Sequence, residues 1–262
     1  MRPITERIRI AGCPVDSCSM DGAVAELCRR IESRIPTHVV FVNAAKVVQY
    51  HRDPVLRDVL ERADVLLADG LPIVWLSRIK GTPLPGRVAG VDLMERMVAA
   101  AEQRGYRVFF LGARADVVGK AVSDFQARYP RLIVAGYRDG YFQQSEEGHL
   151  SAQIRASKAD LVLIAMSTPR KEIWGARNLE NLGAGVCQGV GGGFDMIAGV
   201  TKRAPRWMQR VGLEWCYRLM QEPRRMWKRY AFSNSVFLLL AVRDLFSGFR
   251  ERESPAAQVS SD

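Results

Sequence analysis

Residues 108–136, VFFLGARADVVGKAVSDFQARYPRLIVAG, decide the fold of this 262-residue chain. Residues 108–112 are a short apolar run ending in glycine, the pattern of a parallel strand buried on both faces. Residues 116–129 form an amphipathic segment opening on Asp116, a residue type able to start a helix. Residues 132–136 return to an apolar run. The same alternation extends outward. Runs at 7–11, 38–42, 65–68, 161–166 and 185–190 read as further strands, and 53–63, 92–104 and 168–182 as helices between them. Strand–helix alternation of this kind predicts an α/β fold with a Rossmann-like, doubly wound, mostly parallel sheet.

In such a sheet, ligands bind beyond the carboxyl ends of the strands. The residues that end the runs are Asn43, Asp69–Gly70, Gly112–Ala113–Arg114, Gly140–Tyr141–Phe142, Ser167–Thr168–Pro169 and the glycine-rich 189–193. Glycines and short polar groups there let backbone N–H groups approach a phosphate. Taken singly, each is equally an ordinary turn residue.

The composition shifts near Thr201. Residues 201–252 hold twelve Lys and Arg against four Asp and Glu, so +8 of the whole chain's +10 lies there, interleaved with Trp207, Trp215, Tyr217, Trp227, Tyr230 and Phe232. A surface both basic and aromatic suits either a phospholipid interface or a nucleic acid. The expected organisation is an α/β core over 1–200, a helical membrane-associating appendage over 201–252 and a disordered tail over 253–262. The strand alternation ends before residue 201, so the sheet is not expected to need the appendage to close. The apolar run 236–242 is too short to span a bilayer. Five cysteines, Cys13, Cys18, Cys28, Cys187 and Cys216, form neither a CxxC pair nor a disulfide framework, and the N-terminal residues show no secretory signal. A cytoplasmic protein docked peripherally on a membrane is the expectation.

Read in order, VNAAKVV at 42–48, LADGLPIVW at 67–75, GRVAGVDLM at 86–94, FFLGARADVVGKA at 109–121, RDGYF at 138–142, GVGGGFDMIAG at 189–199 and KRAPRWMQRVGLEWCYRLMQEPRRMWKRY at 202–230 resemble the WecG/TagA/CpsF family of bacterial glycosyltransferases, family 26. The resemblance covers about residues 5–232, and its tail motif is the most specific part. It implies transfer, with inversion, of a sugar from a UDP-sugar to a polyprenyl-diphosphate-linked sugar. That reaction takes place at the inner face of the bacterial membrane, in the synthesis of surface polysaccharide or teichoic acid. Association with further copies of the chain stays open.

Carried over by position, Asp69 matches the family's proposed general base, Asn43 the residue beside it, and Arg87 an arginine directed into the same pocket. A single displacement needs one carboxylate within reach of the acceptor hydroxyl. On residues alone, Asp69 could equally cap a helix starting near Leu71. The Arg87 fork suits phosphate oxygens. Gly112, Arg114 and Tyr141 are the nucleotide-side candidates, and Arg218 and Arg225 the tail arginines expected to reach over the pocket.

Two positions depart from the pattern at the expected sugar pocket. Phe41 stands where members with N-acetylmannosamine-type donors commonly carry Thr, and Lys171 where they carry Gln. These departures leave open an N-acetylmannosamine-type donor, a hexose such as glucose, or an acidic sugar paired to Lys171. No Asp-x-Asp triplet occurs, and His38, His51 and His149 are not ligand-spaced. The expectation is therefore no metal and no cofactor, with arginine neutralising the leaving diphosphate. Two other classes compete. A nucleotide-sugar oxidoreductase would want GxGxxG after the first strand, which AGCPVDSC at 11–18 lacks. A nucleic-acid-binding protein would want a basic stripe on the core, and no nucleic-acid partner is expected.

Overall fold

The computed structural model describes residues 6–252, apart from the side chains of residues 225, 226, 229 and 247–252. The expected tail over 253–262 lies outside the described residues. In chain order the elements are β1 (Arg7–Ile10), β2 (Cys13–Asp16), α1 (Met20–Glu32), β3 (Thr37–Val42), α2 (Ala44–Arg52), α3 (Pro54–Arg62), β4 (Val65–Ala68), α4 (Leu71–Ile79), α5 (Gly90–Arg104), β5 (Arg107–Gly112), α6 (Ala115–Arg128), β6 (Ile133–Arg138), α7 (Glu147–Ala156), β7 (Leu161–Ala165), α8 (Arg170–Leu182), β8 (Val186–Gly189), α9 (Gly193–Ile197), α10 (Arg206–Arg210), α11 (Glu214–Gln221) and α12 (Pro223–Arg252).

Six strands form one sheet in the order β4-β3-β8-β7-β5-β6, and every neighbouring pair is parallel. Successive side chains of a strand point to opposite faces, and the core divides by that rule. Val39, Phe41, Leu67 and Phe110 pack with α1, α5 and α6 on one face. Val40, Val42 and Leu66 pack with α2, α3 and α4 on the other, and Phe109, Val162 and Ile164 with α7 and α8. Helices on both faces make the sheet doubly wound.

Residues 7–11 do not join this sheet. β1 pairs antiparallel with β2 in a separate hairpin, turned by Ala11 at φ 48° and Gly12 at φ 79°. Two adjacent positive φ values suit the twist of a tight hairpin. Asp16, buried, bonds Arg7 at 2.7 Å and accepts the Leu66 N–H of β4 at 2.8 Å, so the hairpin is stitched beside the sheet edge.

The helices after Thr201 pack back onto the sheet-bearing part. Phe237 and Ala241 of α12 are buried in the same cluster as Val42, Val47 and Leu66. Asp244 accepts the Ala11 N–H at 2.7 Å and pairs with Lys80 at 2.7 Å, fastening α12 to the hairpin turn and to the end of α4. No helix among the described residues is long and apolar enough to cross a membrane.

Candidate active site

The carboxyl ends of β3 and β4 and the N-terminus of α5 open into a cavity of about 190 Å³, roofed by α11 and the first turns of α12. Asn43, Asp69, Arg87 and Gly90 line it from the core, and Arg203, Glu214, Trp215, Arg218, Tyr230 and Asn234 from the appendage.

β4 delivers Asp69 to this cavity. The strand ends at Ala68, and the Asp69 N–H bonds the Val42 carbonyl at 2.8 Å. The N-cap of α4 is Gly70, with no side-chain cap bond, so the carboxylate of Asp69 is not consumed in starting that helix. Burial pushes its pKa up to about 6; Arg87, Arg218 and the Gly90 N–H pull it down, and Glu214 pushes it up. A carboxylate of this kind takes a proton readily near neutral pH.

Arg87 is placed by the loop before α5, where the Val88 N–H bonds the Ala68 carbonyl at 2.8 Å. Its Nη2 lies 2.7 Å from Glu214 Oε2, and its Nε lies 3.9 Å from Asp69 Oδ1. Nε is buried without a hydrogen-bond partner. A buried donor left open is costly, and here it adjoins a cavity able to admit an anionic oxygen. Asn43 caps α2, its Oδ1 accepting the Lys46 N–H at 3.0 Å. Its NH2 remains as the group able to meet a ligand.

A second cavity, of about 360 Å³, lies at the ends of β5, β6 and β8 and is lined by Arg114, Tyr141, Gly192, Asp195, Thr201 and Gln221 among others. Met196 and Arg218 line both cavities, so the two adjoin along the carboxyl edge of the sheet. Tyr141 is 75% exposed, and Arg114 pairs with Asp116 at 2.8 Å.

Three expected site residues sit elsewhere. Gly112 lines neither cavity. With φ at 123°, a Cβ there would come within 2.3 Å of the Ala165 carbonyl oxygen, so its glycine serves close strand packing. Phe41, expected to face the sugar, is buried beneath the floor, 3.3 Å from where a Cβ on Gly90 would stand. Strand alternation points it at α5 instead of the cavity. Lys171, expected beside it, also lines neither cavity. It pairs with Glu172 at 2.6 Å and bonds Thr168. Burial pushes the Glu172 carboxyl up, and Lys46 and Lys171 more than reverse that, leaving it near 2. The Lys171 ammonium is thus committed to an internal ion pair. Arg225 lies on α12, and its side chain is outside the described ones.

The wall supplied by the appendage was the hardest part to read from sequence. Glu214 counted there only as a charge, although its placement four residues before Arg218 puts both on one helix face. Asp195, inside the glycine-rich match, gave no separate signal.

The carboxyl edge of this parallel, doubly wound sheet thus carries a cavity that holds Asp69, a carboxyl of raised pKa, among Arg87, Arg203 and Arg218. Residues 8–251 match the Glycosyl transferase WecG/TagA/CpsF family, and the chain belongs to that family. It is a glycosyltransferase. It is 35% identical over 199 residues to the N-acetylglucosaminyldiphosphoundecaprenol N-acetyl-beta-D-mannosaminyltransferase of Bacillus subtilis (strain 168), covering 76% of this chain and 77% of that protein. It is 36% identical over 178 residues to the protein of the same name from Bacillus spizizenii (strain ATCC 23059 / NRRL B-14472 / W23), covering 68% of each.

Proposed function

We propose that the enzyme transfers an N-acetylmannosamine-type sugar from a UDP-sugar to N-acetylglucosamine carried on a polyprenyl diphosphate, with inversion. The observation that carries this reading is Asp69, a carboxylate of raised pKa at the foot of a cavity whose other charged walls are Arg87, Arg203, Arg218 and Glu214. Asp69 accepts the proton of the acceptor hydroxyl as that oxygen attacks the anomeric carbon. The bond from that carbon to the donor's diphosphate breaks, and its electron pair leaves with the diphosphate. Arg218, between the two cavities, takes up the leaving charge, so that no metal ion is required; Arg87 holds the acceptor's diphosphate. The second cavity receives the nucleoside, with Tyr141 offering a ring to the base.

The names of both Bacillus relatives support the donor and the acceptor. The positions of Phe41 and Lys171 support the donor further: neither lines the cavities, so their departure from the family's pattern leaves the walls unchanged. Lys171, held by Glu172 and lining neither cavity, is not placed to select an acidic sugar. Glucose stays the second donor to test. The basic, aromatic helices 201–252 would meet an anionic membrane surface, each cationic side chain near it contributing roughly 1 kcal/mol. The test offers UDP-N-acetylmannosamine, UDP-N-acetylglucosamine and UDP-glucose with a synthetic N-acetylglucosaminyl-diphosphate lipid. Turnover is expected with the first. Turnover with UDP-glucose alone would overturn the donor, and turnover without the lipid acceptor would overturn the reaction.

A further inference from the structure

Large exposed apolar side chains run away from the mouth of the first cavity along α4. This helix is apolar on two faces: Ile73, Val74 and Leu76 are buried, whereas Trp75 is 46% and Ile79 69% exposed. Leu71, Trp75 and Ile79 are spaced by four, so they form one stripe on the helix surface. The stripe begins in the cavity wall, which includes Leu71 and Pro72. It extends about 12 Å outward at about 1.5 Å per residue. The turn between α10 and α11 closes against it. Gly212 has φ at 74°, and a Cβ there would stand 3.2 Å from the Trp75 ring and 3.4 Å from Leu71. Beside that turn, Val211 is 50% exposed. An apolar patch joined to a site marks a ligand surface.

The chemistry joined along this path matches one kind of molecule. Asp69 and Arg87 stand together in the cavity, 3.9 Å apart, and hydrocarbon side chains continue from its wall along α4. A sugar, a diphosphate and an isoprenoid chain make these demands together. We propose that the Leu71–Trp75–Ile79 stripe, walled by the Gly212 turn, is the subsite for the first isoprene units of the acceptor. This rests on the lipid-linked acceptor argued above and names where its chain leaves the cavity. A bilayer would serve exposed apolar groups anywhere on the molecule; on α4 they form a stripe that starts in the cavity wall and continues beyond it, whereas Trp215 of α11 stands in the wall itself. Leu238 and Leu239 of α12, 63% and 70% exposed, line neither cavity.

The experiment compares two N-acetylglucosaminyl-diphosphate acceptors, one with a short water-soluble chain and one with a longer prenyl chain below its aggregation limit. The quantity read is the ratio of their kcat/KM values, for wild type, the Trp75→Ser/Ile79→Ser double variant and a Leu238→Ser/Leu239→Ser control. The long chain is expected to be preferred by wild type and by the control. In the α4 variant that preference is expected to fall about tenfold, while flotation on vesicles with anionic lipid is kept. An unchanged ratio in the α4 variant overturns the subsite. So does an equal fall in the control, and so does lost flotation with an unchanged ratio, which would make the stripe a bilayer contact. Failure of wild type on both acceptors would instead strike the proposed reaction.

Discussion

Arg87 bonds Glu214 at 2.7 Å while its Nε stays 3.9 Å from Asp69, so the appendage, through Glu214, holds a guanidinium back from the carboxylate at the cavity floor. Asp69 is raised to about 6, with Glu214 among the causes raising it and Arg87 and Arg218 opposing. Arg203 faces Glu214 as well, and pairs with Asp92 at 2.6 Å. In wild type, kcat/KM should fall as pH drops through about 6, because the free enzyme's base becomes protonated. In Glu214→Gln the Arg87 fork loses its anionic partner and closes on Asp69. The acid limb should then move to lower pH by about one unit, the lower end of what a neighbouring arginine does to a carboxyl. A variant of lower activity with an unmoved acid limb would assign Glu214 a structural role only.

Asp69→Asn should lower the transfer rate by about 10²–10⁴-fold, the contribution of a positioned base, with nucleotide affinity nearly unchanged. The same substitution should stabilise the fold. A carboxyl raised in the folded state contributes stability that is present below its unfolded pKa and lost as pH rises through the folded one. For Asp69 the window runs from about 4 to about 6. Above it, the Asn variant should exceed wild type by on the order of 3 kcal/mol. Melting curves at pH 4 and pH 7 check this; a gap that does not widen with pH would sink the account of the raised pKa.

The alternation of 108–136 was enough to foresee a doubly wound sheet, because buried parallel strands and amphipathic helices leave opposite hydrophobic periods. Asn43, Asp69 and Arg87 were placed by motif, and the structure brings them around one cavity. The hairpin was not legible: Pro14 interrupts the pattern of β2, and the turn at Ala11 carries an unusual positive φ that no residue preference announces. Phe41 was misdirected because strand alternation is known only once the register is fixed. Docking of α12 depends on which of its faces meets α2, and charge content says nothing of that.

Transfer should persist in excess chelator, with arginine supplying the positive charge that the leaving diphosphate needs. Among the described residues no group of three or more His, Cys, Asp or Glu is placed to hold a metal ion, and Arg218 lines both cavities. Arg218→Ala should therefore cut kcat by about 10²–10³-fold, the loss seen when one preorganised donor to a developing charge is removed. Activity abolished by chelator and restored by magnesium or manganese alone would reassign that neutralising role to a metal.

Truncation after residue 201 should leave a protein that is both less stable and unable to transfer sugar, for two separate reasons. The first is packing: Phe237 and Ala241 fill one face of the core, and Asp244 joins α12 to the Ala11 turn and to Lys80. Emptying the Phe237 site alone, as Phe237→Ala, should cost about 3–5 kcal/mol. Asp244→Ala should cost about 1–3 kcal/mol, since the Ala11 N–H loses its acceptor. The second reason is the cavity itself, which loses Glu214, Trp215, Arg218 and Tyr230 from its wall. The two effects separate experimentally. Phe237→Ala should lower the melting temperature while retaining measurable transfer at low temperature, and Arg218→Ala should do the reverse. A truncated protein that melts with the full chain would show that α12 adds nothing to the core.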